Sequence, residues 1–349
     1  MNEVLPDNAR QNDAGHLEIA GCDAVELAER FGTPVIVLDR GTLESRARSF
    51  ASVLEASRVY YAGKALCCVA VLEVVKELGL GLDVCSGGEL TTALAAGFPT
   101  ERIIFHGNNK SPQELDLARD TGVGRIVVDS FEEIERIADA KVETKLLIRV
   151  TPGVEAHTHE FVQTGQEDSK FGFSLTDGIA MEALRRASKV PGCTLTGVHA
   201  HIGSQIFEMS AFELAIQRLA SFLALARDDF GFEATELNVG GGLGIAHTHD
   251  EMTPDPAESV ERILVSVDRE FGSSSLPAPD VFIEPGRATV GSSALTLYRV
   301  GTVKRIPGVR TYVSVDGGMS DNPRPVLYGS GYEAFLPRAT DAARPKRVT

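Results

Sequence analysis

The chain is poor in cysteine, and none of its cysteines is spaced for metal binding or redox exchange. Cys22, Cys67, Cys68, Cys85 and Cys193 are odd in number and form no CxxC pair. A bridge between the adjacent Cys67 and Cys68 would be strained. This excludes a disulfide scaffold and points to reduced thiols in a cytoplasmic protein. No long basic run stands against a net charge of −15, from 34 Lys and Arg and 49 Asp and Glu. A nucleic-acid groove is therefore excluded, and the basic cluster at Arg344, Lys346 and Arg347 is too small to reverse that. No run of about 18 apolar residues is present to span a membrane. The polar N-terminal stretch (Asn2, Glu3, Asp7, Asn8, Arg10) lacks the apolar core of a signal peptide. What is there is bulk: 349 residues with 43% hydrophobic content, enough for a sizeable core in one large domain or two.

Strand and helix patterns alternate along most of the length. A strand is expected at 33–39 and a helix at 43–54. Eight short apolar runs follow at 59–64, 80–85, 102–106, 125–129, 145–150, 194–201, 236–239 and 281–284. Most read as strands covered on both faces. Helix start signals lie between them: Ser111-Pro112-Gln113-Glu114 and Ser130-Phe131-Glu132-Glu133 both have the pattern of a capping box. Eight such units in roughly 230 residues predict an α/β fold, a (β/α)8 TIM barrel. A doubly wound open sheet is the alternative. It has fewer strands and a glycine-rich turn after the first, whereas here the glycine cluster follows the seventh. Beyond Arg287 two runs, 295–305 and 311–315, read as strands with no long helix between them. The expected organisation is a leader and N-terminal segment at 1–32, its first fifteen residues mobile, which joins a β domain; a barrel at 33–290; and a β-rich domain at 291–349. Residues 347–349 read as the start of a further strand, which leaves that domain incomplete at the C-terminus.

Four features fall at the carboxyl ends of barrel strands, where barrel active sites are built. Lys64 ends the first strand. A desolvated lysine there can attack a carbonyl; the plain alternative is a solvated strand cap. Gly240, Gly241 and Gly242 follow the seventh strand. Their amides can cradle a phosphate, although a simple turn would use the same residues. Glu284-Pro285-Gly286-Arg287 closes the eighth strand. Glu284 could hold a heterocyclic nitrogen protonated, or pair with Arg287. His199 and His201 share one strand face. They could bind zinc, but no cysteine or carboxylate stands near them in a recognised zinc spacing, so no metal is expected. The pairs His157/His159 and His247/His249 read as exposed loop residues. A lysine nucleophile, a phosphate loop, a carboxylate and a flat imidazole at one barrel mouth suit pyridoxal 5'-phosphate.

The ordered segments YAGKA (61–65), DVCSGGEL (83–90), HGNNK (106–110), DSKFGF (168–173), HAHIGSQ (199–205), GGGLG (240–244), EPGR (284–287) and MSDNPRPVLY (319–328) resemble the diaminopimelate decarboxylases. These are pyridoxal-phosphate enzymes of the alanine-racemase-like class, and the resemblance runs from about Pro34 to the end. It implies that Lys64 carries the cofactor as a Schiff base, that His201 stacks on its ring and that Glu284 meets its ring nitrogen. Ser204, the glycine loop and the segment Glu284, Pro285, Gly286 and Arg287 would bind the phosphate, with Asp83 close by. Arg287, Arg324 and Tyr328 would grip substrate carboxylates. A carboxylate at the ring nitrogen favours decarboxylation; the similar racemases use an arginine there. The implied reaction converts meso-2,6-diaminopimelate to L-lysine and CO2, the last step of lysine biosynthesis, in a homodimer with shared active sites.

Family members also carry a Cys-Glu-Ser-Gly-Asp motif and a further tyrosine, and this sequence has neither. The expectation is therefore a C-terminally truncated member with weakened turnover. A non-catalytic homologue that binds the cofactor, and a decarboxylase of another basic amino acid such as ornithine, lysine or arginine, are the alternatives.

Overall fold

The computed structural model describes residues 4–154 and 170–340. The chain divides into two compact units. Met1–Ser45, Ile245–Thr253 and Val290–Thr349 form the first; Arg46–Gly244 and Pro254–Thr289 form the second.

In the first unit β1 (Ala9–Gln11), β2 (Leu17–Ile19) and β3 (Cys22–Asp23) make a small antiparallel sheet. Asp23 then caps α1 (Ala24–Phe31), its carboxylate accepting from the amides of Val25 and Glu26. β4 (Val35–Leu38) pairs antiparallel with β14 (Ala294–Leu297). Ala9, Leu17, Ile19, Ala24 and Leu297 are the buried cluster of this unit. The expected mobile leader is thus not what residues 4–15 form. Ala9 pairs with Ile19 and is buried, and a lone apolar residue in a polar stretch left no periodic signal. β15 (Val300–Ile306) and β16 (Arg310–Val315) form a hairpin, and the short helix α11 (Arg324–Tyr328) follows.

α2 (Arg40–Ala51) leads in sequence to the second unit, a closed parallel barrel. Its strands are β5 (Tyr60–Ala62), β6 (Gly81–Val84), β7 (Ile103–Phe105), β8 (Arg125–Val128), β9 (Lys145–Thr151), β11 (Thr194–His199), β12 (Glu236–Asn238) and β13 (Asp280–Phe282). β10 (Phe173–Ser174) is an added two-residue strand on the edge of β9. A bridge between Val59 and Ile283 closes the ring. Across it Tyr60 N donates to Ile283 O at 2.9 Å, and Ile283 N to Arg58 O at 3.2 Å. The covering helices are α3 (Val69–Glu77), α4 (Gly87–Ala95), α5 (Pro112–Thr121), α6 (Phe131–Asp139), α7 (Ile179–Ala187), α8 (Ser210–Phe230), α9 (Pro256–Ser273) and the short α10 (Arg287–Val290). All eight expected strands are found. No helix among the described residues is long and apolar enough to cross a membrane, and all five cysteines are free.

The interior is layered along the barrel axis. At the strand starts Arg125 holds Glu236 through two 2.8 Å bonds and donates to Tyr60 Oη at 2.9 Å. Thr196 Oγ1 and Lys145 Nζ also donate to Glu236, at 3.0 and 2.9 Å. These donors hold the Glu236 carboxyl below its ordinary range in spite of burial. Above this floor, Tyr60, Ile104, Val127, Leu147 and Phe282 form an apolar layer. The mouth above that layer is polar again.

Two helix starts were expected to be capping boxes. Ser111 makes a complete one with Glu114, with Pro112 in the first turn. Ser130 makes half of one: its hydroxyl accepts from Glu133 N at 3.2 Å. Glu133 turns its carboxylate inward instead, to Asp129 N at 2.8 Å and Lys110 Nζ at 2.6 Å. Lys110 Nζ also donates to the carbonyls of Gly107 and Val127, at 2.9 and 2.8 Å. Its three protons are all used, and both side chains are buried. Glu133→Ala leaves a buried ammonium without its counter-ion and is expected to cost about 3–5 kcal/mol, read by urea unfolding. A loss below about 1 kcal/mol, the range of an exposed pair, would show that the pair does not hold the barrel together.

Candidate active site at the barrel mouth

Lys64 stands in a 3-10 turn, Gly63–Ala65, directly after β5, and its side chain is exposed. Gly63 permits this turn: a Cβ there would lie 2.8 Å from the backbone oxygen of Asp83. The Lys64 ammonium acts on its neighbours, favouring charge on Asp83 and opposing it on His201. Lys110, the other lysine of the quoted motifs with a barrel-strand position, is locked in its buried ion pair. Lys64 is therefore the lysine free to meet a ligand.

Glu284 is buried two residues beyond β13. Its Oε1 accepts from His106 Nε2 and from Asn238 Nδ2, both at 2.7 Å. Its Oε2 accepts from His199 Nε2 at 3.1 Å. Burial alone would raise the carboxyl, but the two histidines outweigh it and hold Glu284 well below the ordinary carboxylate range. Pairing of Glu284 with Arg287 is not found. Arg287 instead directs its guanidinium to Ser204 Oγ at 3.4 Å.

Asp83, at the end of β6, behaves in the opposite way. Desolvation is the largest influence on it and pushes its pKa up. The charge of Glu284 adds to this, while His106 and Lys64 oppose it. Its contacts are few: Cys85 Sγ at 3.6 Å and His106 Nε2 at 3.8 Å. Two buried carboxylates share the mouth, and the donors around Glu284 make it the ionised one.

His199 ends β11 fully buried, and desolvation lowers its pKa to about 4, so it is neutral at ordinary pH. As donor through Nε2 it leaves Nδ1 bare, and that atom is buried without a partner. The ring edges that of His106, with centroids 4.7 Å apart. His201 is half-buried, and its Nδ1 accepts from Gly241 N at 3.3 Å. Burial, then the Lys64 and Arg149 charges, drive its pKa well down. His106, His199 and Glu284 place ligand atoms within 4.8 Å of one another, a zinc-like set of residue types. Both imidazoles turn Nε2 to the carboxylate as donors, which ties that nitrogen of each ring.

The glycine loop packs backbone on backbone. A Cβ on Gly241 would sit 1.9 Å from Glu284 O, and one on Gly242 2.2 Å from Gly203 O. Gly240 and Gly242 have φ of 71° and 112°, which other residues rarely adopt. The Gly240 amide is directed inward, to Asn238 Oδ1 at 2.9 Å, so part of this loop serves the structure of the mouth. Pro285 O accepts from Ala62 N at 3.2 Å, and Gly286 lies so close that a Cβ there would be 3.0 Å from Ala62 Cβ. The EPGR segment is thereby seated beside Lys64.

Sequence reading missed His106, Asn238, Arg149 and Asp129 as mouth residues. Each sits at the carboxyl end of a barrel strand, and that position was the available signal. Arg149 lies over the Phe171 ring at 4.4 Å and 3.6 Å from Asp129, whose Oδ1 accepts from Gly172 N at 2.6 Å. The Phe171-Gly172-Phe173 part of the DSKFGF motif is thus attached to the mouth. Asp168, Ser169, His157 and His159 lie outside the described residues. Arg324 and Tyr328 belong to the first unit, in α11. There the Arg324 guanidinium lies 5.1 Å over the Tyr328 ring and donates to Ser330 Oγ at 3.3 Å.

Comparison with known proteins bears directly on this mouth. Residues 40–291 match the family model of the pyridoxal-dependent decarboxylases, pyridoxal binding domain. The chain is 47% identical to the diaminopimelate decarboxylase of Bacillus subtilis, over 99% of this chain and 80% of that protein. Diaminopimelate decarboxylase from M. jannaschii, solved with L-lysine, superposes with a TM-score of 0.86 at 31% identity, over 95% of this chain and 78% of that one. A lysine decarboxylase from Selenomonas ruminantium gives 0.76 at 25% identity, over 90% and 78%. This chain belongs to the pyridoxal-dependent decarboxylases, in the diaminopimelate decarboxylase family.

Proposed function

We propose that this protein is a pyridoxal-phosphate-dependent carboxy-lyase that converts meso-2,6-diaminopimelate to L-lysine and CO2. The observation that carries the reaction type is Glu284, a buried carboxylate kept ionised by three donors. An ionised carboxylate has about four acceptor positions, and one is left for the N–H of a protonated ring. The remaining residues fit the same group. Lys64 offers an exposed amine for covalent attachment. Ser204 and Arg287 stand together as a hydroxyl and a cation for a phosphate or carboxylate. His201 presents a neutral ring to stack on. Gly240, Gly241 and Gly242 let the loop close on the mouth, with Pro285 and Gly286 seating it beside Lys64, and Asp83 completes the set.

Bound pyridoxal phosphate supplies an electron-accepting ring for the pair left behind when a carboxylate departs as CO2. The chain's part is to keep that ring oriented and protonated. Glu284 does so by a charge-assisted hydrogen bond, and the closed apolar layer beneath the mouth keeps water from below. Arg287, Arg324 and Tyr328 would read substrate carboxylates. The name of the relatives and the arginines both favour a substrate with a second carboxylate. We further propose that the enzyme is cytoplasmic and a homodimer with shared active sites, to be checked by analytical ultracentrifugation.

Borohydride reduction of the protein with pyridoxal phosphate should label Lys64, and peptide mass mapping should find no label on Lys110, whose protons are all committed. Label on Lys110 would sink the assignment. For the substrate, Arg324→Ala should raise KM for diaminopimelate about tenfold or more, as expected when a charged hydrogen bond of roughly 1.5–3 kcal/mol is lost, with cofactor affinity unchanged. Faster decarboxylation of lysine or ornithine than of diaminopimelate by the unsubstituted protein would refute the substrate reading.

A further inference from the structure

Three side chains surround Glu284, and nothing in the reaction chemistry itself requires them. His106 follows β7, His199 ends β11 and Asn238 ends β12. β11, β12 and β13 are consecutive in the barrel, whereas β7 lies on the far side of the ring. His106 therefore reaches Glu284 across the mouth, and only a closed barrel brings the two together. We propose that His106, with His199 and Asn238, is a positioning residue that fixes Glu284 as the ionised member of the Asp83–Glu284 pair and leaves it one open acceptor position, so that the cofactor's ring nitrogen stays protonated. This rests on the functional reading above.

Asp83 and Glu284 compete for a proton. Both are buried, at 1% and 4% exposure. Two carboxylates in one dry site do not both ionise readily. Which one keeps the proton depends on the donors each can find. Glu284 has three, at 2.7, 2.7 and 3.1 Å. Asp83 has a thiol at 3.6 Å and stands 3.8 Å from the same His106 nitrogen. His106 Nε2 thus chooses between the two carboxylates, and its geometry chooses Glu284. The other charged groups acting on the pair are Lys64, Glu89, which lies in the field of Asp83 and His106, and, through the histidines, Arg149. Lys64 lies at the open side and is the residue that takes the cofactor, so it is not free to set this balance.

The loop that carries His106 is anchored accordingly. Lys110 Nζ holds Gly107 O at 2.9 Å while its ion pair with Glu133 holds the lysine. The Arg136 guanidinium fixes Lys110 O at 2.8 Å. Gly107 itself has φ of 118°, and a Cβ there would meet Cys85 O at 3.0 Å. The HGNNK motif thereby acquires a purpose: it is the mount of the His106 ring.

The test compares His106→Leu, which removes the donor, with His106→Gln, whose amide can return an N–H to nearly the same place. Cofactor labelled with 15N at the ring nitrogen reports its protonation by NMR in the holoprotein. In the unsubstituted protein and in His106→Gln the nitrogen should be protonated at neutral pH. In His106→Leu it should lose its proton at lower pH than in the unsubstituted protein. The same variant should lose about 10²-fold in kcat, the scale of one lost charge-stabilising donor, with KM changed far less. An unchanged nitrogen signal and kcat in His106→Leu would overturn the proposal. So would a His106→Gln variant as impaired as His106→Leu, because packing would then be the cause. A measurement on the unsubstituted apoprotein does not depend on either variant folding: 15N-labelled imidazoles of His106 and His199 should both carry the proton on Nε2, and a bare Nε2 on either overturns the clamp. A bare ring nitrogen already in the unsubstituted holoprotein would defeat the functional reading as well, which separates that failure from failure of the clamp alone.

Discussion

An ionised carboxylate inside a barrel of apolar strands is costly unless donors replace the water it has lost. Glu284 meets that requirement with two imidazoles and an amide drawn from three different strands. Because these donors come from opposite sides of the ring, the cluster cannot exist before the barrel closes between β5 and β13. Closure in turn rests on the lower layer, where Arg125, Lys145, Thr196 and Tyr60 surround Glu236. The barrel is held by two buried carboxylates, one at each end, with an apolar layer between them. The lower one is satisfied by permanent cations and stabilises the fold. The upper one is satisfied by two imidazoles and an amide.

Two lysine and carboxylate systems of this unit also do different work. Lys110 and Glu133 neutralise each other completely, and every proton of the ammonium is spent. Such a pair positions backbone but offers nothing to a substrate. Lys64 and Glu284 are not paired. One is exposed at the rim, the other buried beneath it, and Asp83 stands within the field of both. A group that binds the amine and the carboxylate together completes this arrangement.

Much of this was legible in the sequence, for a physical reason. Strands covered on both faces must be apolar throughout, so the eight barrel strands appear as compact runs at regular spacing, and all eight were placed within a few residues. The positions of Lys64, His201, Gly241 and Glu284 at the mouth were legible because each stands just beyond the end of a barrel strand. What stayed hidden depends on closure. No local pattern shows that His106 of one strand meets Glu284 about 180 residues later. The choice between a Glu284–Arg287 pair and a Glu284–histidine cluster also turns on which way a short loop faces. Arg287 turns to Ser204, and only the folded chain shows it. The ordered N-terminal sheet was missed because Ala9, Leu17 and Ile19 are too widely spaced to form a periodic signal.

The glycines follow the same division between local and global causes. Gly63 and Gly286 were set beside Lys64 and Glu284 in the motifs, and their reason is now steric: each stands where a neighbouring strand end approaches to about the width of a methyl group. Gly240 was read as a phosphate donor, yet its amide serves Asn238, which in turn serves Glu284. The loop after the seventh strand is therefore coupled to Glu284 through one side chain. An anion held by that loop would be linked through Asn238 to Glu284. The two ends of one small cofactor would thus be bound by a single connected set of hydrogen bonds. Such a network rewards a ligand that satisfies both ends at once over one that satisfies either alone.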